Sequence, residues 1–155
     1  MPLWKKRPMI IRDTVHADVA RVHALCAAWE GEAITYGMVT TPAETLEAQL
    51  GPYFLVAEEG GEIVGYVTGS VHASDGMAVI PAGAAYLEID EFYVIPERRS
   101  QGIGRRLLDT LLARAEAAGL EYQLVYSATK DLRRVLHFYE QSGFQSWCVQ
   151  LFRRE

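Results

Sequence analysis

Val94-Ile95-Pro96-Glu97-Arg98-Arg99-Ser100-Gln101-Gly102-Ile103-Gly104-Arg105-Arg106-Leu107-Leu108 is the stretch that decides how this chain folds. Tyr86-Leu87-Glu88-Ile89-Asp90-Glu91-Phe92-Tyr93-Val94 precedes the turn and is β-branched and aromatic enough to predict a strand. Beyond the turn, Ile103, Leu107, Leu108, Leu111, Leu112 and Ala115 recur at helical spacing. A strand therefore passes through a glycine-containing turn directly into an amphipathic helix. The first amides of such a helix have no intrahelical acceptor, and its dipole end is positive. That combination holds phosphates. Gly102 and Gly104 leave the backbone open to an anion, and Arg98, Arg99, Arg105 and Arg106 bring positive charge to the same turn.

The turn is not a P-loop, because no Gly-x-x-x-x-Gly-Lys-Ser/Thr occurs in the chain. A dinucleotide fingerprint needs a third small residue at 107, where Leu107 stands. What fits is Arg-x-x-Gly-x-Gly from Arg99 to Gly104, preceded by Val-x-Pro. This resembles the acyl-CoA pyrophosphate turn of the GNAT superfamily of N-acetyltransferases. His137-Phe138-Tyr139-Glu140-Gln141-Ser142-Gly143-Phe144 resembles the same family's later Phe/Leu-Tyr-x-x-x-Gly-Phe motif, at the family spacing. The resemblance runs over about residues 8–152 and is specific over 86–144. It implies an α/β (mixed α+β) fold: a central mixed sheet with helices on both faces and two parallel strands that splay apart around the acyl-CoA.

The chain has 155 residues, half of them hydrophobic and 23% charged, which fits one soluble domain with a real core. Residues 1–7 read as a loose tail and 8–155 as a single domain. A formal net charge of −5 disfavours nonspecific nucleic-acid binding. Cys26 and Cys148 make no disulfide framework, and Cys26 lies on an apolar helix face as a small core residue. No apolar run approaches the ~18 residues of a membrane span. Lys5-Lys6-Arg7 lacks a following apolar region, so no signal peptide is expected and a cytoplasmic location is.

In chain order, Met9-Ile10-Ile11-Arg12 predicts a strand, and Val15, Val19, Val22, Cys26 and Trp29 predict one stripe of a helix that Gly31 ends. Tyr36 and Met38 stand in an irregular connection. Thr41-Pro42-Ala43-Glu44 predicts a second helix with Thr41 as cap, Pro42 at the first position and Glu44 completing a capping box. Residues 53–57 and 63–68 predict a hairpin around Glu59-Gly60-Gly61-Glu62, followed by a long loop over 73–84. After the central strand, turn and helix, Gly119 closes the helix and residues 122–127 form a parallel strand. Asp131 caps a helix bearing Val135, Leu136 and Tyr139 that stops at Gly143, and residues 144–152 supply a last strand.

The family resemblance implies the site. A backbone N–H near Val94 meets the thioester carbonyl, and the amides of residues 100–105 meet the pyrophosphate. The implied cofactor set is Phe92, Val94, Arg99, Ser100, Gln101, Gly102, Ile103, Gly104 and Arg105, with Arg99 either fixing the turn or touching phosphate. Tyr139 matches the family's general acid, although 132, 135, 136 and 139 also form an apolar helical face, which is a core role. The general base is one of three carboxylates, or a water chain with no committed base, as in several relatives. Strand alternation puts Glu88 and Asp90 on one face and Glu91 on the other, and a bulge would shift that count. Tyr36 and Glu91 are the acceptor-side residues. The Asn that many relatives carry after the later parallel strand is absent, and Ser127 or Thr129 stands there instead. His16, His23, His72 and His137 show no ligand spacing, so no metal site is expected.

The expected activity is direct transfer of an acetyl group from acetyl-CoA to a primary amine on a small molecule, peptide or protein. A non-catalytic acyl-CoA sensor of the same fold is the rival reading. A tRNA-directed acetylator is disfavoured by the charge. Neither nucleic acid nor membrane is an expected partner, and a homodimer is compatible with the sequence. The acceptor, the choice of carboxylate and the length of the acyl group stay open.

Overall fold

The computed structural model describes residues 7–155, so the expected tail falls outside the described residues except at Arg7. Five strands lie in sequence order across one sheet: β1 (Met9–Asp13), β2 (Phe54–Glu59), β3 (Glu62–Ala73), β4 (Ala85–Val94) and β5 (Tyr122–Val125). The first four pair antiparallel, with Gly60 and Gly61 at positive φ turning β2 into β3. α3 (Ile103–Ala117) carries the chain back across the sheet, so β5 pairs parallel to β4. α1 (Val19–Glu32) and α2 (Ala43–Ala48) cover the opposite face, and α4 (Leu132–Glu140) follows β5. This is the mixed-sheet architecture expected.

Two cores sandwich the sheet. Ile103, Leu107, Leu108, Leu111 and Ala115 of α3 pack on Leu55, Ala57, Val67, Leu87 and Ile89. Val19, Val22, Leu25 and Cys26 of α1, with Leu46 of α2, pack on Phe54, Val56, Tyr66 and Tyr93. Phe54 to Ala57 are all buried because helices cover both faces of β2, which is why that strand reads as an unbroken apolar run.

Four expectations are corrected. α1 runs through Gly31 to Glu32, and Ala33 takes the left-handed cap at φ 53° instead. Val15 is exposed and precedes the helix in a 3-10 turn (His16–Asp18), so it is not part of the stripe. Thr41 does not cap α2. Pro42 holds the N-cap position without a side-chain bond, and the Thr41 hydroxyl turns toward β4. The last strand, over 144–152, does not form. Residues 144–152 make no ladder, although β5 is the last strand of the sheet and has an unpaired edge. Asp131 and Gly119 behave as expected: Asp131 accepts the Arg134 amide, and Gly119 closes α3 at φ 76°.

The feature that shapes the site is a bulge in β4. Thr68 pairs with Glu91 and Gly69 with Ile89, so Asp90 is an extra residue with no partner of its own in β3. Its insertion reverses the phase of the strand. Leu87 and Ile89 before it, and Phe92 and Val94 after it, all pack on the α3 side. Asp90 and Glu91 consequently share the other face, contrary to simple alternation. The Glu91 amide, displaced from the ladder, donates to the buried Thr68 Oγ1 at 3.1 Å. Thr68→Val should therefore strand that amide and cost about 1–3 kcal/mol in urea unfolding, while Thr68→Ser should keep most of it. A valine variant as stable as the parent would show that the threonine does not hold the bulge.

Candidate active site

β4 and β5 part where the bulge lies. Their last paired residues are Ile89 and Val125, yet β4 continues to Val94. Between the separated ends opens a cleft of about 950 Å³. One wall is β4 from Ile89 to Val94, and the other is residues 125–129 with α4. The α1–α2 connection crosses it, tied down by the Tyr36 amide to Ala128 O at 2.9 Å and the Lys130 amide to Ile34 O at 2.9 Å. Trp29 supports this crossing from α1, donating to Thr35 Oγ1 at 3.0 Å and stacking on Tyr93. Tyr36, an expected acceptor-side residue, lies in this crossing with Lys130 Nζ 5.3 Å from its ring centroid.

At one end of the cleft α3 begins. Its first intrahelical bond runs from the Arg106 amide to Gly102 O, leaving the amides of Ile103, Gly104 and Arg105 without helical acceptors. Gly102 caps the helix at φ 84°, and Ser100 also sits at positive φ, so the turn presents its backbone toward the cleft. The two glycines serve different ends. A Cβ on Gly102 would meet open space but an unfavourable φ, whereas one on Gly104 would touch Phe92 and Phe138 at 3.6 Å. Ile103 is buried in the core, and its side chain does not line the cleft.

The arginines of the turn are mostly occupied. Arg98 pairs with Glu59 at 2.6 Å and Arg105 with Asp109 at 3.2 Å. Arg99 is bidentate to Glu32 at 2.9 and 2.7 Å, donates to Val94 O at 2.9 Å, and lies over the Tyr93 ring. Of its two expected roles, the geometry supports bracing the turn. Burial is the largest single influence and would raise the Glu32 carboxyl, but hydrogen bonding from Arg99 and Tyr93 and the charge of Arg99 together hold the group below its ordinary value.

Further along β4, the Ile95 amide donates to Val64 O at 2.9 Å, toward β3. Successive amides of a strand face opposite edges, so the Val94 N–H turns away from β3 into the gap. Tyr139 lines the cleft and packs edge-on against Phe92, Phe138 and Phe144. Burial pushes its phenol up, keeping it protonated at neutral pH. Among the carboxylates, Asp90 and Glu91 line the cleft and Glu88 does not. Asp90 accepts from Ser70 Oγ at 2.7 Å, and desolvation pushes its carboxyl up against that pull. Glu88 stands 3.4 Å from His72 Nε2, so the fold gathers His72, Glu88 and Asp90 although their sequence spacing gives no hint of it. Ser127 and Thr129 both line the cleft, but their hydroxyls accept the amides of Thr129 and Asp131.

Residues 22–144 match the model of the acetyltransferase (GNAT) family. The chain belongs to the GNAT family of acetyltransferases. Among its relatives, a mycothiol acetyltransferase of Thermobispora bispora is 34% identical over 101 residues, 65% of this chain and 32% of that protein. An IAA acetyltransferase of Azospirillum brasilense is 33% identical over 91 residues, 59% of this chain and 53% of its own. This GNAT chain thus spans between 28% and 53% of the length of the curated relatives it matches. The fold is shared with a predicted acetyltransferase from Clostridium acetobutylicum solved with acetyl-CoA, at TM-score 0.71 and 18% identity over 95% of this chain and 96% of that one. An aminoglycoside acetyltransferase from an uncultured soil metagenomic sample superposes at TM-score 0.70 and 20% identity, over 95% and 96%. No helix among the described residues is long and apolar enough to cross a membrane.

Several contacts of this GNAT site had no signal in the sequence: Glu32 as the partner of Arg99, Thr35 bridging to Thr129 in the crossing, and Cys26, Thr41 and Tyr66 around Glu91. Each acts through a partner more than 60 residues away, or through a loop whose path only the fold defines, except Tyr66, whose partner lies on the neighbouring strand. The Glu32–Arg99 brace carries a pH signature. A carboxylate lowered in the folded state stabilises above its unfolded pKa of about 4.3 and loses that contribution as pH falls through its folded value. Glu32→Gln should therefore lower the melting temperature at pH 7, with the difference from the parent shrinking below about pH 4. An equal difference at pH 7 and pH 3 would remove the ion pair as the brace.

Proposed function

We propose that this protein transfers an acetyl group from acetyl-CoA to a primary amine, with the cleft between β4 and β5 as its active site. The observation that carries the reading is the wedge itself. It joins, in one cavity, free amides at a helix N-terminus, a strand N–H facing the gap, a protonated tyrosine and two carboxylates. The free amides of Ile103, Gly104 and Arg105 suit a pyrophosphate, and the gap beside Val94 and Phe92 suits an extended pantetheine-like chain. When bound, acetyl-CoA supplies the acetyl group as a reactive thioester.

The chain's residues divide the remaining work. The Val94 N–H is the donor for negative charge developing on the carbonyl oxygen. Asp90, its carboxyl raised by desolvation, takes a proton from the incoming ammonium, since a higher pKa makes a better base. Glu91, deeper in the cleft, faces the acceptor nitrogen. Glu88 lies outside the cleft lining and takes no step in this scheme. Tyr139 gives its phenolic proton to the departing sulfur. The nitrogen sheds two protons overall: one leaves through the carboxylate to solvent, and the other replaces the proton Tyr139 gave to the thiol. The relatives named for mycothiol and aminoglycoside support an amine-bearing small molecule as the acceptor class.

Two variants test the scheme. Gly102→Val forces a β-branched residue to φ 84° and should abolish acetyl-CoA binding in titration calorimetry while the fold persists. Unchanged affinity in a folded variant would remove the turn from the site. Tyr139→Phe keeps the ring packing and deletes only the hydroxyl that carries the proton. Turnover, followed by thiol release, should fall by roughly 10²-fold with acetyl-CoA affinity about level. Normal turnover would make Tyr139 a packing residue alone. Tight acetyl-CoA binding by the parent without transfer to any amine would favour a sensor.

A further inference from the structure

β3 runs out from under the helices that cover it. Its residues are buried from Ile63 to Thr68 and exposed from Val71 onward. Ser70 and His72 lie two residues apart on this emerging stretch and share a face. Ser70 pairs with Glu88 across the ladder, so Glu88 shares that face as well. Asp90 follows on β4, where the bulge leaves it without a partner in β3. A histidine nitrogen and two carboxylates are thereby gathered, with ligand atoms all within 4.8 Å of one another. His72 Nε2 is 3.4 Å from Glu88 Oε2. Ser70 Oγ donates to Asp90 Oδ2 at 2.7 Å and stands 2.9 Å from His72 Nε2. The His72 ring also packs on Tyr86, its cross-strand partner, with centroids 5.5 Å apart.

The donors are of two kinds, nitrogen and oxygen, and paired strands present them. No Lys or Arg nitrogen lies within 4.0 Å of Glu88 or Asp90 among the described residues, whereas Asp18, Glu32, Glu58 and Glu59 each hold an arginine. Two carboxylates this close repel each other unless a cation comes between them. An ion with nitrogen and oxygen ligands at about 2.1 Å sets neighbouring ligand atoms about 3.4 Å apart in a tetrahedron. His72 and Glu88 already have that spacing. Imidazole suits zinc-like ions, while magnesium and calcium take shells of oxygen. His72 and Asp90 are exposed and Glu88 is half-buried, so a hydrated ion can enter. Three protein ligands leave a fourth position to water.

We infer that His72, Glu88 and Asp90 form a binding site for a zinc-type divalent ion, and that filling it switches acetyl transfer off. The ion takes the neutral Nε2 lone pair of His72 and one oxygen from each carboxylate, while Ser70 keeps its bond to Asp90. Asp90 lines the cleft and Glu88 does not, so the ion sits at the edge of the cleft. A carboxylate committed to the ion no longer takes a proton from an incoming ammonium, and the ion's own charge repels that ammonium. The binding site stands on geometry alone. Only its effect on turnover rests on the acetyl-transfer reading above.

The test uses the full chain, cleared of metal by a chelator that is then removed. Titration calorimetry with Zn2+ should show one ion per chain in the micromolar range, and Co2+ should give visible absorption when it binds. His72→Ala and Glu88→Gln should each weaken Zn2+ at least about tenfold, since even a supporting contact is worth that to a metal site. His16→Ala removes an exposed histidine that faces one carboxylate, Glu47, and should leave the affinity unchanged. Affinity no tighter than millimolar, or equal in the parent and His72→Ala, overturns the site. In turnover, saturating Zn2+ should slow the parent by roughly 10²-fold, the share of one acid–base group, and a chelator should restore it. His72→Ala should keep the parent's rate without metal and escape the inhibition. Equal inhibition of both proteins overturns the switch and leaves the site. A parent that binds Zn2+ but acetylates no amine overturns the acetyl-transfer reading and the switch together, with the site intact.

Discussion

The bulge at Asp90 is the constraint on which the site depends. One additional residue in β4 changes which side chains face which core, and the consequences follow from that count. The strand can pack Leu87 and Ile89, then Phe92 and Val94, against the same helix only because its phase reverses between them. Two adjacent carboxylates then emerge together on the other face. Parallel pairing with β5 ends just before the extra residue, and the strands separate. The distortion costs a ladder bond, and Thr68 returns it through a side-chain oxygen. A binding cleft and its acidic groups thus arise from a single irregularity held by one buried hydroxyl.

Around that irregularity, charge is arranged economically. The glycine turn is rich in arginine, yet three of its four arginines answer carboxylates on β2, α1 and α3. With those arginines paired, the backbone amides are the free donors of the turn, which suits the proposed phosphate site. Arg99 has a second consequence. Because it links Glu32 at the end of α1 to the Val94 carbonyl, it joins the helix on one face of the sheet to the strand that borders the cleft. The crossing connection between α1 and α2 begins immediately after Glu32, so the same ion pair anchors the segment that spans the cleft.

Tyr139 illustrates why packing and chemistry need not be alternatives. Its ring is edge-on to three phenylalanines, which makes it part of a core, and the same burial pushes its phenol up. In the proposed scheme the phenol must be protonated at neutral pH, which it is with or without burial, and a raised pKa also makes it a weaker acid. The helical periodicity of residues 132–139 was therefore compatible with both roles.

Local chemistry sufficed for a large part of this protein. The turn from Arg99 to Gly104, the helix after it and the motif ending in Gly143-Phe144 were legible because each rests on contacts close in sequence: unsatisfied first-turn amides, positive φ at glycine and 3.6-residue periodicity. From them the family and the fold class followed. The expected cap at Thr41 and the last strand over 144–152 failed for the opposite reason. Thr41 has a better partner in Glu91, fifty residues away, and β-propensity makes a strand only when the chain is carried alongside a sheet edge. Alternation likewise misplaced Glu91, since a bulge leaves no mark in composition or spacing. Which carboxylate enters the cleft, which arginine braces it and which hydroxyls hold Glu91 were decided by the tertiary structure, because each depends on distances between elements that the order of residues along the chain does not contain.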